Sequence, residues 1–304
     1  MKDYVAVVGG ANLDITGTPD LSLSLHDSAP GRISVGMGGV GRNIAQNLVG
    51  MGLQVSLITV FGSDPLASVL QEDCKRLGMD ISHSLHVEGA TSSYLCLNDR
   101  EGEMQYALAG MGIMDSMTPD FLAGQLDYLN EAAAVVVDTN LPSILDFVMR
   151  NVTAPLFLDT VSASKAGWAR GKIKRLAALK TNALELAALT GVEVTDFPSA
   201  QEAADVLLSS GVERVFVTMG SRGVWFSDGT NSGTLPATTH KVVNTTGCGD
   251  SFAAGVVYAY LAGEDVFRSA ALGSMLATAT LGEPTTVCPQ EVIRSIVDRW
   301  SNKE

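Results

Sequence analysis

Short runs of consecutive apolar residues alternate along this chain with segments whose apolar positions recur every three or four residues. The runs at residues 4–8, 55–60, 134–138, 156–159 and 214–218 are rich in Val, Leu or Ile and end at Gly, Asp or Thr. Unbroken apolar runs of this length fit strands buried on both faces. Between them the helical period predicts helices over about 40–51, 65–77, 119–130, 143–150, 183–189 and 200–208. Such alternation predicts an α/β fold: a three-layer sandwich with a mostly parallel central sheet covered by helices on both sides. The last third changes rhythm, with short antiparallel strands expected at 224–226 and 233–235, then helices at 249–262, 265–281 and 289–300.

Two stretches interrupt the pattern. Residues 15–36 hold Pro19, Pro30 and Gly31 among short alternating pieces. Residues 91–109 read as a hairpin, 91–97 and 103–109, joined by the polar turn 98–102. Both are too polar on one face for a central sheet, so they are expected to form a small β lid on one domain spanning 1–304. There is no internal repeat and no low-complexity tail.

Composition narrows the partners. The chain has 304 residues, 46% of them hydrophobic, and a net charge of −13. That is ample for a large core, and the acidity argues against nucleic acid, since no Lys/Arg cluster could neutralise several phosphates. An anionic ligand must then be held by backbone N–H groups, a metal or a few cations. Cys74, Cys96, Cys248 and Cys288 lie far apart without a C-x-x-C pair, which favours reduced thiols and a cytoplasmic location. No window approaches a membrane span, and the apolar start is too short for a signal peptide. His83 and His86 form an H-x-x-H without a third ligand in view and are read as surface histidines.

Candidate chemistry centres on Asn244-Thr-Thr-Gly-Cys-Gly-Asp250, which runs directly into the small-residue helix beginning Ser251-Phe-Ala-Ala-Gly255. A glycine-punctuated turn entering a helix presents unpaired N–H groups and the positive end of the dipole to an anion. Asp250 at that junction is either a helix cap or a base beside the hole formed by Gly247, Cys248 and Gly249. Gly36-Met-Gly-Gly-Val-Gly41 matches G-x-G-x-x-G, but lies about thirty residues after the first strand instead of directly behind it, which disfavours a dinucleotide fold. The same glycines, followed by Arg42 and Asn43, fit a tight turn whose backbone can lie against a sugar. Asn12 and Asp14 follow the first strand, where they can bind vicinal hydroxyls or simply make a turn. Asn182 and Glu185, three apart at a helix start, can orient a hydrated Mg²⁺ or form a capping box. Residues 218–223, including Thr218, Gly220 and Gly223, can meet phosphate or ribose, or connect a hairpin. Neither a P-loop nor a G-x-S-x-G elbow occurs.

Together and in this order, these pieces resemble the ribokinase-like (PfkB) carbohydrate and nucleoside kinases. Gly38-Gly-Val-Gly41-Arg-Asn43-Ile-Ala is similar to that family's N-terminal signature, residues 244–255 to its C-terminal one, and Asn182-Ala-Leu-Glu185 to its N-x-x-E element. The resemblance covers essentially the whole chain. It implies ATP, Mg²⁺ and phosphorylation of a primary sugar hydroxyl, with K⁺ as a candidate monovalent cation. It makes Asp250 the general base, Gly247, Cys248 and Gly249 the anion hole, and Asn182 and Glu185 the residues acting on metal-bound water. Asn12, Asp14, Gly39, Gly41 and Asn43 would hold the acceptor, with Ser93, Met111, Ser162 and Lys165 near its base or the lid. Thr218, Gly220, Gly223, Thr246 and Ser274 would lie along the nucleotide. Residues 9–14, 30–47, 91–95, 102–104 and 158–165 are similar to the subgroup acting on pseudouridine. Asn244 stands where the wider family usually has Asp, and Cys248 where Ala is common. A small lid with an apolar face also suggests a homodimer through the lid.

Overall fold

The computed structural model describes residues 3–101, 103–238 and 242–302. Gly102 of the expected hairpin turn therefore lies outside the described residues. A nine-stranded sheet runs through the molecule in the order Ser232–Leu235, Val224–Ser227, Val215–Thr218, Ala178–Asn182, Leu156–Asp159, Ala134–Asp138, Tyr4–Val8, Gln54–Ile58 and Met79–Asp80. Only the pairings made by Val224–Ser227 are antiparallel. Alternate residues of the first strand explain the layers. Val5 and Val7 join one hydrophobic cluster, with Ile44, Phe252, Leu272 and Ile293 from helices on that side. Ala6 and Val8 join the other, with Leu122, Ile144, Leu186 and Leu207. The fold is therefore the α/β sandwich anticipated above.

The chain winds outward from Tyr4–Val8 through Gln54–Ile58, then returns to add Ala134–Asp138 on the opposite side. The resulting switch point, at the carboxyl ends of these strands, is where open α/β sheets form a crevice. A second, four-stranded sheet stands beside it, in the order Gly31–Gly38, Asn12–Pro19, Ser93–Asn98, Met104–Gly110. Its first strand begins at Asn12 rather than Ile15, so Asn12 and Asp14 are strand residues, not turn residues. The expected helix 119–130 is two pieces, Pro119–Ala123 and Leu126–Glu131, broken at Gly124 and Gln125. Gln125 shares a hydrogen bond with His83, which is half-buried and stacked on Tyr128, whereas His86 is exposed.

Candidate active site

The switch point is built by close backbone approach. An ideal Cβ on Gly41 would sit 2.7 Å from the Gly9 backbone, and one on Gly39 would sit 2.4 Å from the Gly10 carbonyl oxygen. Gly39 also adopts φ 100° as N-cap of helix Val40–Gly50, so the Gly38–Gly41 glycines first serve to seat this helix on the end of the first strand. The Gly10 N–H donates to Asp138 Oδ2 at 2.9 Å, joining the two strands across the crevice.

The anion loop lies opposite. Gly247, at φ 85°, is the N-cap of helix Cys248–Leu261, and no side chain caps that end. No side chain takes the first-turn N–H groups; the Cys248 N–H makes only a long 3.4 Å bond to the Thr245 carbonyl, so this end can still meet an anion. Thr286 packs directly on the turn: a Cβ on Gly247 would come 1.9 Å from its carbonyl oxygen. Asp250 is the third helical residue and is buried, but it is not the cap. Its Oδ2 accepts from Asn43 Nδ2 at 2.8 Å, and Asn43 Oδ1 accepts from Thr286 Oγ1 at 3.1 Å. Burial, then the neighbouring Asp159, push the Asp250 carboxyl up to about 7, while Asn43 and Lys180 oppose that rise. Burial, then Asp250, push the Cys248 thiol up to about 11, so it is a thiol and not a nucleophile at neutral pH.

Lys180 and Asp159 were not singled out as site residues in the sequence, yet they lie beneath the anion loop. Strand register aligns Asp138, Asp159 and Lys180 in one row. Lys180 Nζ pairs with Asp159 Oδ2 at 3.2 Å and lies 2.5 Å from where a Cβ on Gly249 would sit. Burial alone would lower the Lys180 ammonium, but Asp159, Glu185 and Asp250 more than offset it and hold it up at about 12. The one signal in the sequence is a single charged residue in the middle of the strand Ala178–Asn182.

On the neighbouring row, Thr160 Oγ1 donates to Glu185 Oε2 at 2.5 Å. The same oxygen accepts from the Asn182 backbone N–H at 2.9 Å, while Asn182 Nδ2 donates to Glu185 Oε1 at 2.7 Å. With Glu185 N–H donating back to Asn182 Oδ1 at 2.9 Å, the capping box is complete. Both carboxylate oxygens are occupied, and the described residues hold no group of three or more His, Cys, Asp or Glu placed to bind a metal. These side chains fit a hydrated Mg²⁺ held through its waters and do not fit direct chelation.

The acceptor candidates gather on the second sheet and the strand ends. Asn12 Nδ2 donates to Asp14 Oδ1 at 2.6 Å. Burial pushes the Asp14 carboxyl up against the lowering effects of Asn12 and Arg42. Ser93 pairs in register with Leu13, beside this couple, and Met111 follows the strand opposite it. Arg42 points away, to the Met37 carbonyl and Asp73. Lys165 donates to Asn140 Oδ1, and the Asn140 N–H to Asp138 Oδ1, so Lys165 is tied to the crevice instead of free in solvent. Ser162 sits at the N-cap position of the short helix carrying Lys165, and its hydroxyl meets that of Ser164 instead of capping the end. Residues 219–223 connect antiparallel strands, as the hairpin reading had it, with Met219 N–H donating to the Gly223 carbonyl and Thr218 Oγ1 to the Thr181 carbonyl. Thr246 is exposed and bonded through its N–H to Asn244 Oδ1. Ser274 is half-buried on Val266–Leu281, the helix packed on Cys248–Leu261.

An uncapped helix start over a buried carboxylate, facing polar strand ends at a switch point, can hold an anion beside a proton acceptor. The chain matches the model of the pfkB family of carbohydrate kinases over residues 2–292 and belongs to that family. It is 33% identical over 308 residues to pseudouridine kinase of Escherichia coli (strain K12), covering 100% of this chain and 98% of that one. Among solved structures, a putative sugar kinase from Clostridium perfringens superposes with a TM-score of 0.88 at 29% identity, covering 98% of this chain and 96% of that one. Arabidopsis thaliana ribokinase complexed with ribose and ATP shares the fold, with a TM-score of 0.83 at 19% identity over 98% of this chain and 99% of that one.

Proposed function

We propose that this kinase transfers a phosphoryl group from ATP to the 5′-hydroxyl of pseudouridine, with Asp250 as general base. The observation that carries the chemistry is the buried Asp250 carboxylate, held by Asn43 at the start of an uncapped helix. The full-length identity to pseudouridine kinase supports the acceptor. ATP would supply the phosphoryl group, and Mg²⁺ would neutralise its charge. The residues then divide the work. Asp250 accepts the hydroxyl proton, and Gly247, Cys248 and Gly249 offer N–H groups to the developing anion. Lys180 adds positive charge from beneath. Asn182 and Glu185 would orient water on the ion, and Asn12 and Asp14 would hold ribose hydroxyls. Lys165 and Asn140 lie ready for polar groups on the base. A cytoplasmic setting agrees with four free cysteines.

We also assign the second sheet as a lid that pairs two copies of the chain. Register lines up Val35, Ile15, Leu95 and Leu108 across all four strands, and beside them Ile33, Gly17, Leu97 and Tyr106. Ile33 and Leu108, at 77% and 69% exposure, leave this apolar face open to a partner. ADP release with pseudouridine, uridine, inosine, adenosine and ribose tests the acceptor. Preferential turnover of pseudouridine is expected. Preference for another acceptor overturns that assignment, and a thermal shift without ADP release points to a non-catalytic sensor.

A further inference from the structure

The Asn43 amide is committed at both ends in a place with almost no water, since the residue is 3% exposed. Its Nδ2 serves Asp250 and its Oδ1 is satisfied by the Thr286 hydroxyl. An asparagine amide has two nearly isosteric ends, and only one of them can face a carboxylate favourably. Thr286 makes that orientation the one in which both ends are paired. The same residue lays its carbonyl against the Gly247 turn, so one position touches both the base's partner and the cap of the anion loop.

We propose that Thr286 is a positioning residue which, through Asn43, aims the Asp250 carboxylate at the acceptor hydroxyl and keeps it in register with the Gly247 turn. This rests on Asp250 being the general base. Valine at 286 would leave Asn43 Oδ1 buried and unpaired, and an amide that turns to find another partner abandons Asp250. Asn43 is then a residue of the base more than of the sugar.

The other groups acting on Asp250 are Lys180 and Asp159 on adjacent strands, Asp138 on the next strand and Cys248 on its own helix. Glu283 and Cys288 are the titratable groups on the segment carrying Thr286, and Arg42, beside Asn43, is engaged with Asp73. None of these is altered by removing the Thr286 hydroxyl, so a change in the pH profile reports on the Asn43 contact.

Steady-state kinetics of Thr286→Val against pH tests the assignment. A hydrogen bond to a charged group, once lost, corresponds to a fall in kcat of about tenfold, with the acceptor KM held within about twofold. Because Asn43 favours the ionised carboxylate, the acid limb of the profile moves to higher pH. Thr286→Ser keeps the hydroxyl and recovers most of the loss. In an Asn43→Ala background, Thr286→Val costs nothing further. A wild-type kcat and acid limb in Thr286→Val, or an equal additional loss in the Asn43→Ala background, overturns the assignment. If Thr286→Val does not fold, Thr286→Ala is judged by the same criteria. Asp250→Asn separates the two claims: if it stays active, the base is misassigned, whereas an inactive Asp250→Asn beside an unimpaired Thr286→Val refutes only the role of Thr286.

Discussion

Replacing Asp250 with Asn changes one atom and removes one buried charge. The new side chain fills the same volume and can still offer an oxygen to Asn43 Nδ2, so packing around helix Cys248–Leu261 is unchanged. What changes is protonation. A carboxyl that ordinarily titrates at 3.8 and is held at about 7 in the fold retains its proton in the native state over the interval where the unfolded chain has lost it. Stability therefore falls as pH rises from about 4 to about 7 and is flat above, and the total is on the order of 4 kcal/mol. The Asn variant lacks this loss. At pH 8 it should unfold at a higher temperature than the wild type, and the gap should narrow toward pH 4. In the same preparation, ADP release should fall by about 10²–10⁴-fold, the usual worth of a general base, while acceptor binding by calorimetry persists. Turnover within tenfold of wild type refutes the base assignment, and a stability difference independent of pH refutes the buried-charge account.

Three further outcomes follow from particular contacts. Gly247→Ala places a methyl group at φ 85° and 1.9 Å from the Thr286 carbonyl oxygen, so the loop must shift. The resulting backbone strain costs about 1–3 kcal/mol, and activity falls at least in proportion; wild-type melting and activity would contradict the clash. Lys180→Met leaves Asp159 buried without its cation, a loss of about 3–5 kcal/mol in denaturant unfolding. It also moves the acid limb of activity upward by removing a charge that favours ionised Asp250, and Asp159→Asn in the same chain moves the limb back. An unmoved limb excludes Lys180 from the base's electrostatics. Ile33→Asp with Leu108→Asp puts charge on the exposed lid face and should yield a monomer by light scattering. A dimer that persists locates the interface elsewhere.

The alternation of apolar runs and helical segments was enough to read the layers, because burial on both faces leaves an unbroken apolar strand. Asp250 was ambiguous for a local reason: a carboxylate at a helix start suits a cap as well as a base. The cap reading falls only because the left-handed Gly247 takes that position, and the carboxylate's partner Asn43 lies 207 positions away along the chain. Asn182 and Glu185 show the opposite case, since the capping box forms and still leaves the pair beside Thr160 on the row next to Lys180. Lys180 itself was passed over because strand register, not spacing along the chain, sets it against Asp159. Thr286 carries no signal in the sequence, for its hydrogen-bond partner Asn43 comes from the opposite end of the chain.

Two sheets share the candidate site. Asn12 and Asp14 stand on the smaller sheet, on the strand that residues 9–11 connect to Tyr4–Val8, while Asp250, Lys180 and Glu185 belong to the body of the sandwich. If the proposed roles hold, substitutions along Asn12–Pro19 or Ser93–Asn98 change the contacts to the ribose while leaving Asp250, Lys180 and Glu185 in place. On the proposed roles, a lineage could then alter its acceptor on one sheet while the other is held fixed.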